Sequence, residues 1–327
     1  MRVKALQIEF TSPYHVGWRR AESIIDGVTL HRTLIALHNL VGRRSPVDPI
    51  LNELRVSAVL PAVKKEGYYE PVLPLPPLPS RIRPKKAGFE WVTLSAAISL
   101  VEDLTKHRRL LITSVKDNKV TMKLNSTTRE LCIGGKILKL CEENIEVPQS
   151  GLIERFEAVL NRIDRLTNSA DLFKISGYRA RSSMVVMLQS NNDDVLRIAE
   201  ELLKLSGDIG LGGLKSRGLG KFVTKGEAKI NTKYFEREAC AGYNLLLGSY
   251  VLEDPSVDLM NSFVNTRLLA GYSGPPQDPH ILPYLSYAGA GSIIYVKTPP
   301  RPVIRPVKTS NIGSLLVFNP LIIGCCT

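Results

Sequence analysis

The sequence predicts an α+β protein with a ferredoxin-like core, a long insertion in that core, and a second, less regular α+β domain behind it. Three observations support this prediction. The chain opens with a strand and a helix, it later runs strand, helix, glycine-rich loop and strand, and a segment of different character separates the two parts. Because β-α followed by β-α-β is the ferredoxin-like or split β-α-β order, the two parts are expected to share one sheet.

The first part begins with residues Arg2 to Phe10, which form the opening strand. The helix that follows is indicated by apolar residues at helical spacing, namely Leu30, Leu34, Leu37 and Val41. Asp26 or Thr29 can cap its start, and Gly42 is placed to end it.

The later part is equally regular. Ser182 to Gln189 is a continuous apolar strand, and Asn191 to Asp194 supply an N-cap and an acidic first turn. The helix is expected to run to about Ser206 and to end at Gly207. A further strand, Lys221 to Ile230, follows the glycine-rich loop.

The segment between these parts is predicted to be an insertion that projects from the main body. Its proline-rich run, Gly67 to Pro79, favours extended backbone and a rigid surface connector. A helix is expected at about Leu94 to Lys106. Two hairpins should follow, the first with strands Arg109 to Val115 and Val120 to Leu124, the second turning at Gly134 and Gly135.

The length of 327 residues is typical of two domains, and a composition of 44% hydrophobic and 23% charged residues is that of a packed globular protein. We expect an N-terminal domain over residues 1–228, with the insertion at about 43–180. The C-terminal domain is expected over residues 229–327.

Charge narrows the candidate partners. The 43 Lys and Arg exceed the 31 Asp and Glu by 12, which favours nucleic acid, an anionic membrane or acidic proteins. The sequence has neither a run of about 18 apolar residues nor an N-terminal secretory pattern, so we expect a cytoplasmic protein without a membrane partner. The five cysteines show no zinc-ligand spacing and are expected to be reduced, with no metal site.

The glycine-rich loop is the strongest functional signal. Gly210, Gly212, Gly213, Gly218 and Gly220 bracket Lys215, Ser216 and Arg217, and Lys221 follows directly. Glycines permit left-handed backbone and close approach to phosphate, while the cations supply charge. The loop is neither a Walker A motif, because Leu214 precedes Lys215, nor a dinucleotide fingerprint, because it joins a helix to a strand. Contact with RNA or nucleotide phosphate is favoured over an ordinary surface turn.

Several segments resemble one known family. Ile209 to Phe222 resembles the signature glycine loop of the RAMP superfamily, the RNA-binding subunits of CRISPR effector complexes. Asn161 to Asn168, with Asp171 to Phe173, resembles the Asn-x-Ile-Asp-Arg-x-Thr segment of the type III-A (Csm) subunit that caps the 5′ end of the complex. Gly67 to Pro79 and Ala288 to Ser292 resemble further stretches of that subunit.

This resemblance implies two ferredoxin-like (RRM-like) domains, the first carrying a thumb-like hairpin and the second abbreviated. It also implies a non-catalytic subunit of an antiviral ribonucleoprotein, without a cofactor. Such a subunit holds the repeat-derived 5′ tag of the CRISPR RNA (crRNA), docks the large polymerase-like subunit and the backbone RAMP subunits, and meets target RNA through the complex.

Further RNA-binding residues are expected in two regions beyond the glycine loop, the first from the resemblance and the second from the distribution of charge. The thumb-like segment contributes Asn161, Arg162, Asp164 and Arg165. The core contributes the cations Arg19, Arg20, Arg32, Arg179 and Arg181. Tyr14, Trp18, Phe173 and Tyr178 are candidate stacking surfaces, with core packing as the alternative.

Two other functions are considered. A metal-independent CRISPR RNA-processing endoribonuclease would use an N-terminal histidine, His15, His31 or His38, with Tyr14 or a lysine. Asp164 raises a similar question, because carboxylates on the thumb loops of sister RAMP subunits cleave target RNA. Its setting between Arg162 and Arg165 suits an ion-paired, structural aspartate at least as well. We assign no catalytic residue, because no second group stands at a recognisable spacing. The third candidate is a protein adaptor whose basic surface meets an acidic partner, and the glycine loop argues against it.

Overall fold

The computed structural model describes residues 1–17, 21–42, 46–125, 127–163, 170–273, 280–306 and 315–324. The helices are α1 (Gly27–Leu40), α2 (Asp48–Asn52), α3 (Leu94–His107) and α4 (Asp193–Ile209), with 3-10 turns at Lys215–Arg217 and Thr232–Glu236. The strands of the first 227 residues are β1 (Arg2–Phe10), β2 (Arg55–Val56), β3 (Leu60–Lys65), β4 (Tyr68–Pro74), β5 (Trp91–Thr93), β6 (Leu111–Lys116), β7 (Lys119–Lys123), β8 (Thr128–Gly134), β9 (Ile137–Lys139), β10 (Ile153–Ile163), β11 (Ala170–Ala180), β12 (Ser183–Ser190) and β13 (Phe222–Glu227). The later strands are β14 (Gly242–Leu246), β15 (Tyr250–Val251), β16 (Val257–Phe263), β17 (Thr266–Leu269), β18 (Tyr272–Ser273), β19 (His280–Ile281), β20 (Leu285–Ala288), β21 (Ile293–Val296), β22 (Val303–Pro306), β23 (Leu315–Phe318) and β24 (Ile322–Gly324).

The predicted ferredoxin-like core is confirmed by its strand order. β1 lies between β13 and β12, and β12 pairs on its other side with β2 and β3, all antiparallel. With β1, β3, β12 and β13 counted as the four strands of a β-α-β-β-α-β unit, the order is 4-1-3-2. Helices α1 and α4 cover one face through a shared apolar cluster that includes Leu34, Leu188 and Leu202.

Local signals place the start of α4 as the sequence indicates, but the predicted end at Gly207 is wrong, because the helix continues through the buried Gly207 to Ile209. The Asn192 side chain accepts a hydrogen bond from the Asp194 amide at 3.0 Å, so it caps the helix. At the other end, Gly210 takes a φ of +96°, and its amide donates to the Ser206 carbonyl at 2.7 Å. The loop that carries the proposed site therefore leaves the helix with a defined backbone direction.

The expectation that the whole insertion projects is wrong. β4, β5, β9, β8, β7 and β6 extend the core sheet in that order beyond β3, and α3 packs on this extension in a large apolar cluster. The proline-rich run is also no surface connector, because it forms β4, paired with β3 and β5. Val72 and Leu73 are fully buried there, and their burial outweighs the local preference of Pro71 in the middle of the strand and Pro74 at its end.

One hairpin does stand apart from the main sheet. β10 and β11 form a two-stranded antiparallel sheet of eleven residue pairs, from Ile153↔Ala180 to Ile163↔Ala170. Val159 and Leu172 on this hairpin are 64% and 74% exposed. This β10–β11 hairpin is the thumb-like element that the resemblance implies.

The chain after β13 forms separate sheets, of which the largest has the order β16-β21-β14-β24. Among the residues that the structure describes there, the 3-10 turn Thr232–Glu236 is the one helical segment, which agrees with an abbreviated domain. Its cluster contacts the core where the Tyr287 hydroxyl donates to the buried Asp26 carboxylate at 2.6 Å. We propose a domain boundary at about residue 228, directly after β13.

The expectation of reduced cysteines is wrong. Cys132 and Cys141 form a disulfide across the β8–β9 hairpin, and Cys240 is also disulfide-bonded. Strand pairing brings the first two Cα atoms to 4.9 Å, within the range that a disulfide needs. Spacing in the sequence does not reveal this proximity.

None of the helices in the described part of the chain is long and apolar enough to cross a membrane.

Candidate nucleic-acid interface

The candidate site is formed where three segments meet. They are the glycine loop, the connection from β1 to α1, and the base of the β10–β11 hairpin. Tyr14 pairs with Tyr178 of the hairpin through two backbone hydrogen bonds of 2.8 Å. His15 pairs with Gly213 of the loop, whose amide donates to the His15 carbonyl at 2.7 Å. The β1–α1 connection therefore joins the loop to the hairpin.

Close backbone approach requires glycine at three positions of the loop, Gly210, Gly212 and Gly220. A Cβ at Gly212 would overlap the His15 carbonyl oxygen, and one at Gly220 would overlap the Leu211 carbonyl oxygen. Both residues also have positive φ, +90° and +80°. Gly218 differs, because its φ of +78° is left-handed but open space surrounds it. The glycines thus serve packing and turn geometry within the protein.

Much of the loop backbone is already hydrogen-bonded to the protein. The amides of Leu211, Gly213, Arg217, Gly218 and Gly220 donate to carbonyl oxygens at 2.7 to 2.9 Å. A bound phosphate would therefore meet the side chains of the loop and its remaining amides, and the cations carry most of the attraction.

Lys215 and Arg32 form one cationic pair in this surface. Partial burial lowers the pKa of Lys215, and the charge of Arg32 on α1 lowers it further. Burial also lowers the pKa of Arg32. An anion beside both groups would oppose these shifts, because it favours their charged forms. Ser216 and Arg217 are exposed next to Lys215.

Arg217 connects the loop to the hairpin. Its guanidinium carbon lies 4.5 Å from the centroid of the half-buried Phe173 ring. This distance is within the range of a cation–π contact. Charge and an aromatic ring therefore stand together at the edge of the loop, the combination that single-stranded nucleic acids meet in many proteins.

Lys221 marks the end of the loop. Its amide donates to the Ser12 hydroxyl at 2.9 Å, and its carbonyl accepts from the Thr11 amide at 2.9 Å, so the segment directly after β1 holds it in place. The Lys221 side chain is exposed.

The remaining predicted residues are dispersed. Arg179 is exposed and lies 5.7 Å from the Phe156 ring centroid, on the hairpin. Arg181 is ion-paired with Glu154 at the hairpin base. Asn161 is exposed opposite Leu172, and Arg162 pairs in register with Asp171 near the far end of the hairpin. Arg19, Arg20, Asp164 and Arg165 lie outside the described residues, as does Trp18.

The candidate histidines are held by the protein. His15 Nδ1 lies 2.6 Å from the Ser176 carbonyl oxygen, and its Nε2 lies 3.1 Å from that of Gly17. His31 is fully buried, contacts the Ile50 carbonyl at 2.8 Å, and has a pKa lowered by burial to about 4. His38 is also buried. These positions suit structural histidines.

The candidate aromatic residues divide into core residues and one residue on the proposed surface. Tyr14 is fully buried and donates its hydroxyl hydrogen to the Ser23 carbonyl at 2.7 Å, so it belongs to the core. Tyr178 packs on it with ring centroids 6.4 Å apart. Phe173 is the described candidate that lies on the proposed surface.

The sequence did not reveal the structural part played by Ser12 and His15. Their contacts join segments about 160 to 210 positions apart, so local spacing carries no sign of them. The one available signal was the irregular stretch directly after the first strand.

Within the described residues, no group of three or more His, Cys, Asp or Glu is arranged to hold a metal ion.

Comparison with solved structures shows the same fold in a CRISPR subunit. The chain is similar to one in a crystal structure of the Csm3–Csm4 subcomplex of the type III-A CRISPR-Cas interference complex, at 15% identity, 100% coverage of both chains and a TM-score of 0.58. It also aligns with a chain of the type III-B Cmr-beta complex bound to cognate target RNA, at 12% identity, 89% and 86% coverage and a TM-score of 0.48. A chain of a Csm1–Csm4 cassette with pppApA aligns at 14% identity, 98% and 97% coverage and a TM-score of 0.44.

In sequence, no family profile and no curated protein matches this chain. The resemblance to type III RAMP subunits is therefore confirmed in the fold, over the full length of both chains in the first comparison. This likeness defines the fold of the chain, and a fold alone does not define a function.

Proposed function

We propose that this chain is a non-catalytic RNA-binding subunit of a type III CRISPR effector complex, acting in antiviral defence in the cytoplasm. In this proposal it holds the repeat-derived 5′ tag of the crRNA on the surface formed by the glycine loop and the β10–β11 hairpin. The full-length likeness to a chain of the Csm3–Csm4 subcomplex supports membership of such a complex.

The observation that carries the RNA-binding proposal is the joint placement of Lys215, Arg217 and Phe173. The loop presents two exposed cations, Arg32 lies beside the first, and the Phe173 ring lies beside the second. Phosphate contacts by such cations, together with an aromatic ring, fit single-stranded RNA. The exposed cations Lys221 and Arg179 extend the positively charged surface beyond these residues.

Docking partners follow from the same proposal. The large polymerase-like subunit and the backbone RAMP subunits would contact other faces of the chain, and target RNA would be met through the complex. The exposed apolar residues Val159 and Leu172 place contact area on the β10–β11 hairpin for such neighbours or for RNA.

The endoribonuclease alternative is less well supported by the geometry. Both ring nitrogens of His15 already face carbonyl oxygens, and His31 is buried and neutral around pH 7. A general base needs a nitrogen within reach of the proton that it removes. The adaptor alternative does not explain why Lys215, Arg217 and the Phe173 ring lie together.

Recovery of the chain from its native cells tests the proposal. The tagged full-length protein should co-purify with a short RNA of constant 5′ sequence and with other CRISPR subunits. A parallel purification of Lys215→Ala/Arg217→Ala should recover less of this RNA at the same protein yield. Recovery of the subunits without RNA would favour the adaptor, and recovery of neither would contradict the proposal.

A further inference from the structure

A second basic site lies far from the glycine loop. A groove of about 480 Å³ opens between the end of α3, the β6–β7 hairpin and β16 of the C-terminal part. Arg108, Arg109 and Lys123 line it together with Phe263, and the buried Leu110 and Leu124 form apolar surface within it.

The groove is separate from the proposed tag site. In the sheet order, β6 is the strand at the edge opposite β13, nine strand steps away. At about 4.8 Å per step, the two edges are roughly 40 Å apart along the sheet. One phosphate cannot contact both places.

The cations of the groove are not neutralised by the described part of the protein. No Asp or Glu of the described residues lines the groove, and no described carboxylate forms an ion pair with Arg108, Arg109 or Lys123. Nearby cations differ, since Arg129 pairs with Asp103 and Arg237 pairs with Glu102. The surplus positive charge is therefore local to the groove.

The last carbonyl of α3 has a hydrogen-bond partner other than these cations. The Asn125 side chain already donates to the His107 carbonyl at 2.6 Å, which satisfies one terminal carbonyl of the helix. Arg108 follows as the cap, with a left-handed φ of +57°, where glycine is the usual residue. The chain thus keeps an arginine at a position whose backbone disfavours it.

The opposite wall offers an aromatic ring that the protein holds in place. Phe263 is half-buried and stacks with Tyr243 at an interplanar angle of 19° and a centroid distance of 6.5 Å. Tyr243 in turn contacts Tyr295 edge-on, with centroids 5.0 Å apart. Ordering this ring on binding therefore costs little side-chain entropy.

We propose that this groove binds a phosphate-bearing nucleotide, with phosphate on Arg108, Arg109 and Lys123 and the base against Phe263. A volume of about 480 Å³ is within the usual range for small-molecule sites, which also favour domain interfaces. The nucleotide is either free or one residue of a single-stranded RNA. Both share the chemistry of a phosphate joined to a flat base.

The test uses the full-length chain carrying Lys215→Ala/Arg217→Ala, so that the glycine loop contributes little. The probes are fluorescent ATP, a ten-nucleotide oligouridylate and hexaglutamate. Adding Arg108→Ala/Arg109→Ala should weaken binding of at least one nucleotide probe tenfold or more. The matched control Lys86→Ala/Lys116→Ala removes the same charge from exposed lysines outside the groove and should change affinity less than twofold.

The ring is tested separately with Phe263→Leu, which keeps most of the apolar volume. This change should weaken nucleotide binding at least threefold and leave binding of inorganic tripolyphosphate unchanged. Loss of ATP binding in the groove variant identifies a free nucleotide, and loss of oligouridylate binding alone identifies RNA; both support the proposal. The proposal would be overturned if the parent chain bound no nucleotide, or if the groove variant bound the nucleotide probes as tightly as the parent chain. It would also be overturned if the groove variant lost hexaglutamate binding to the same extent as nucleotide binding.

Discussion

The Arg217 guanidinium lies over the Phe173 ring, with 4.5 Å between the guanidinium carbon and the ring centroid. The two residues belong to different elements, the glycine loop and the β10–β11 hairpin. Their contact makes the position of the loop depend on the hairpin.

A double-mutant cycle on this pair should show coupling. Arg217→Ala and Phe173→Leu are each expected to weaken binding of single-stranded RNA, and the loss in the double variant should be smaller than the sum by about 0.5–1 kcal/mol, the usual size of an exposed cation–π contact. Fluorescence titration with one oligoribonucleotide measures all four affinities. Fully additive losses would show that the contact has no part in binding.

Two glycines of the loop should respond differently to alanine. Gly220→Ala places a Cβ against the Leu211 carbonyl oxygen and should lower the free energy of unfolding by about 3 kcal/mol or more. Gly218→Ala, with a similar φ but open space, should cost only about 1–2 kcal/mol. Denaturant titration followed by circular dichroism compares them. Equal losses would contradict the close approach at Gly220.

The regular elements of the core could be predicted because their signals are local. β1 has the bounds that its alternating pattern indicates, and α4 begins at the predicted asparagine cap. The end of α4 was not predicted, because the helix passes through Gly207 and stops before Gly210. β4 could not be predicted, since burial of Val72 and Leu73 against the rest of the insertion overrides its prolines. Long-range pairing, which no local pattern reports, also decided that the insertion extends the sheet.

The candidate site, like the fold, could be predicted only where its signals are local. The sequence indicated Lys215 and Arg217 from their glycine context, but it did not indicate that Phe173 would lie beside Arg217 or that His15 would join the loop to the hairpin. The second groove was missed entirely, because Phe263 comes from a part of the chain distant from Arg108 and Lys123.

Glu70 should make stability depend on pH. Burial raises the pKa of this carboxyl from 4.5 to about 7, and the nearby Glu143 charge adds to the rise. Between these values the folded protein keeps the group neutral while the unfolded chain ionises it, so stability falls as pH rises. Glu70→Gln stays neutral, and its stability relative to wild type should rise by about 3 kcal/mol from pH 4.5 to pH 7 and then stay constant.

Denaturant titrations at several pH values measure this difference. Asp26→Asn is the control, because burial raises the pKa of Asp26 from 3.8 to about 6 and its effect should be complete at a lower pH. A Glu70→Gln difference that does not change between pH 4.5 and pH 7 would contradict the buried environment of Glu70.

The Cys132–Cys141 disulfide should stabilise the β8–β9 hairpin. It closes a loop with a sequence separation of 9, for which chain entropy predicts about 2–3 kcal/mol. Cys132→Ser/Cys141→Ser should therefore lower the free energy of unfolding by that amount under oxidising conditions. Since Cys240 is also disulfide-bonded, reductant should still lower the stability of this variant, but by less than it lowers that of wild type. Equal stability of variant and wild type without reductant would show that the bond is not formed in solution.

The salt dependence of RNA affinity tests the central claim most directly. For a single-stranded RNA carrying the 5′ tag, the slope of log affinity against log salt should become shallower by about 0.7 per lost phosphate contact, or about 1.4 for Lys215→Ala/Arg217→Ala. The charge-matched control Lys86→Ala/Lys116→Ala should keep the wild-type slope. If the loop variant kept the wild-type slope and affinity, RNA binding by the glycine loop would be contradicted.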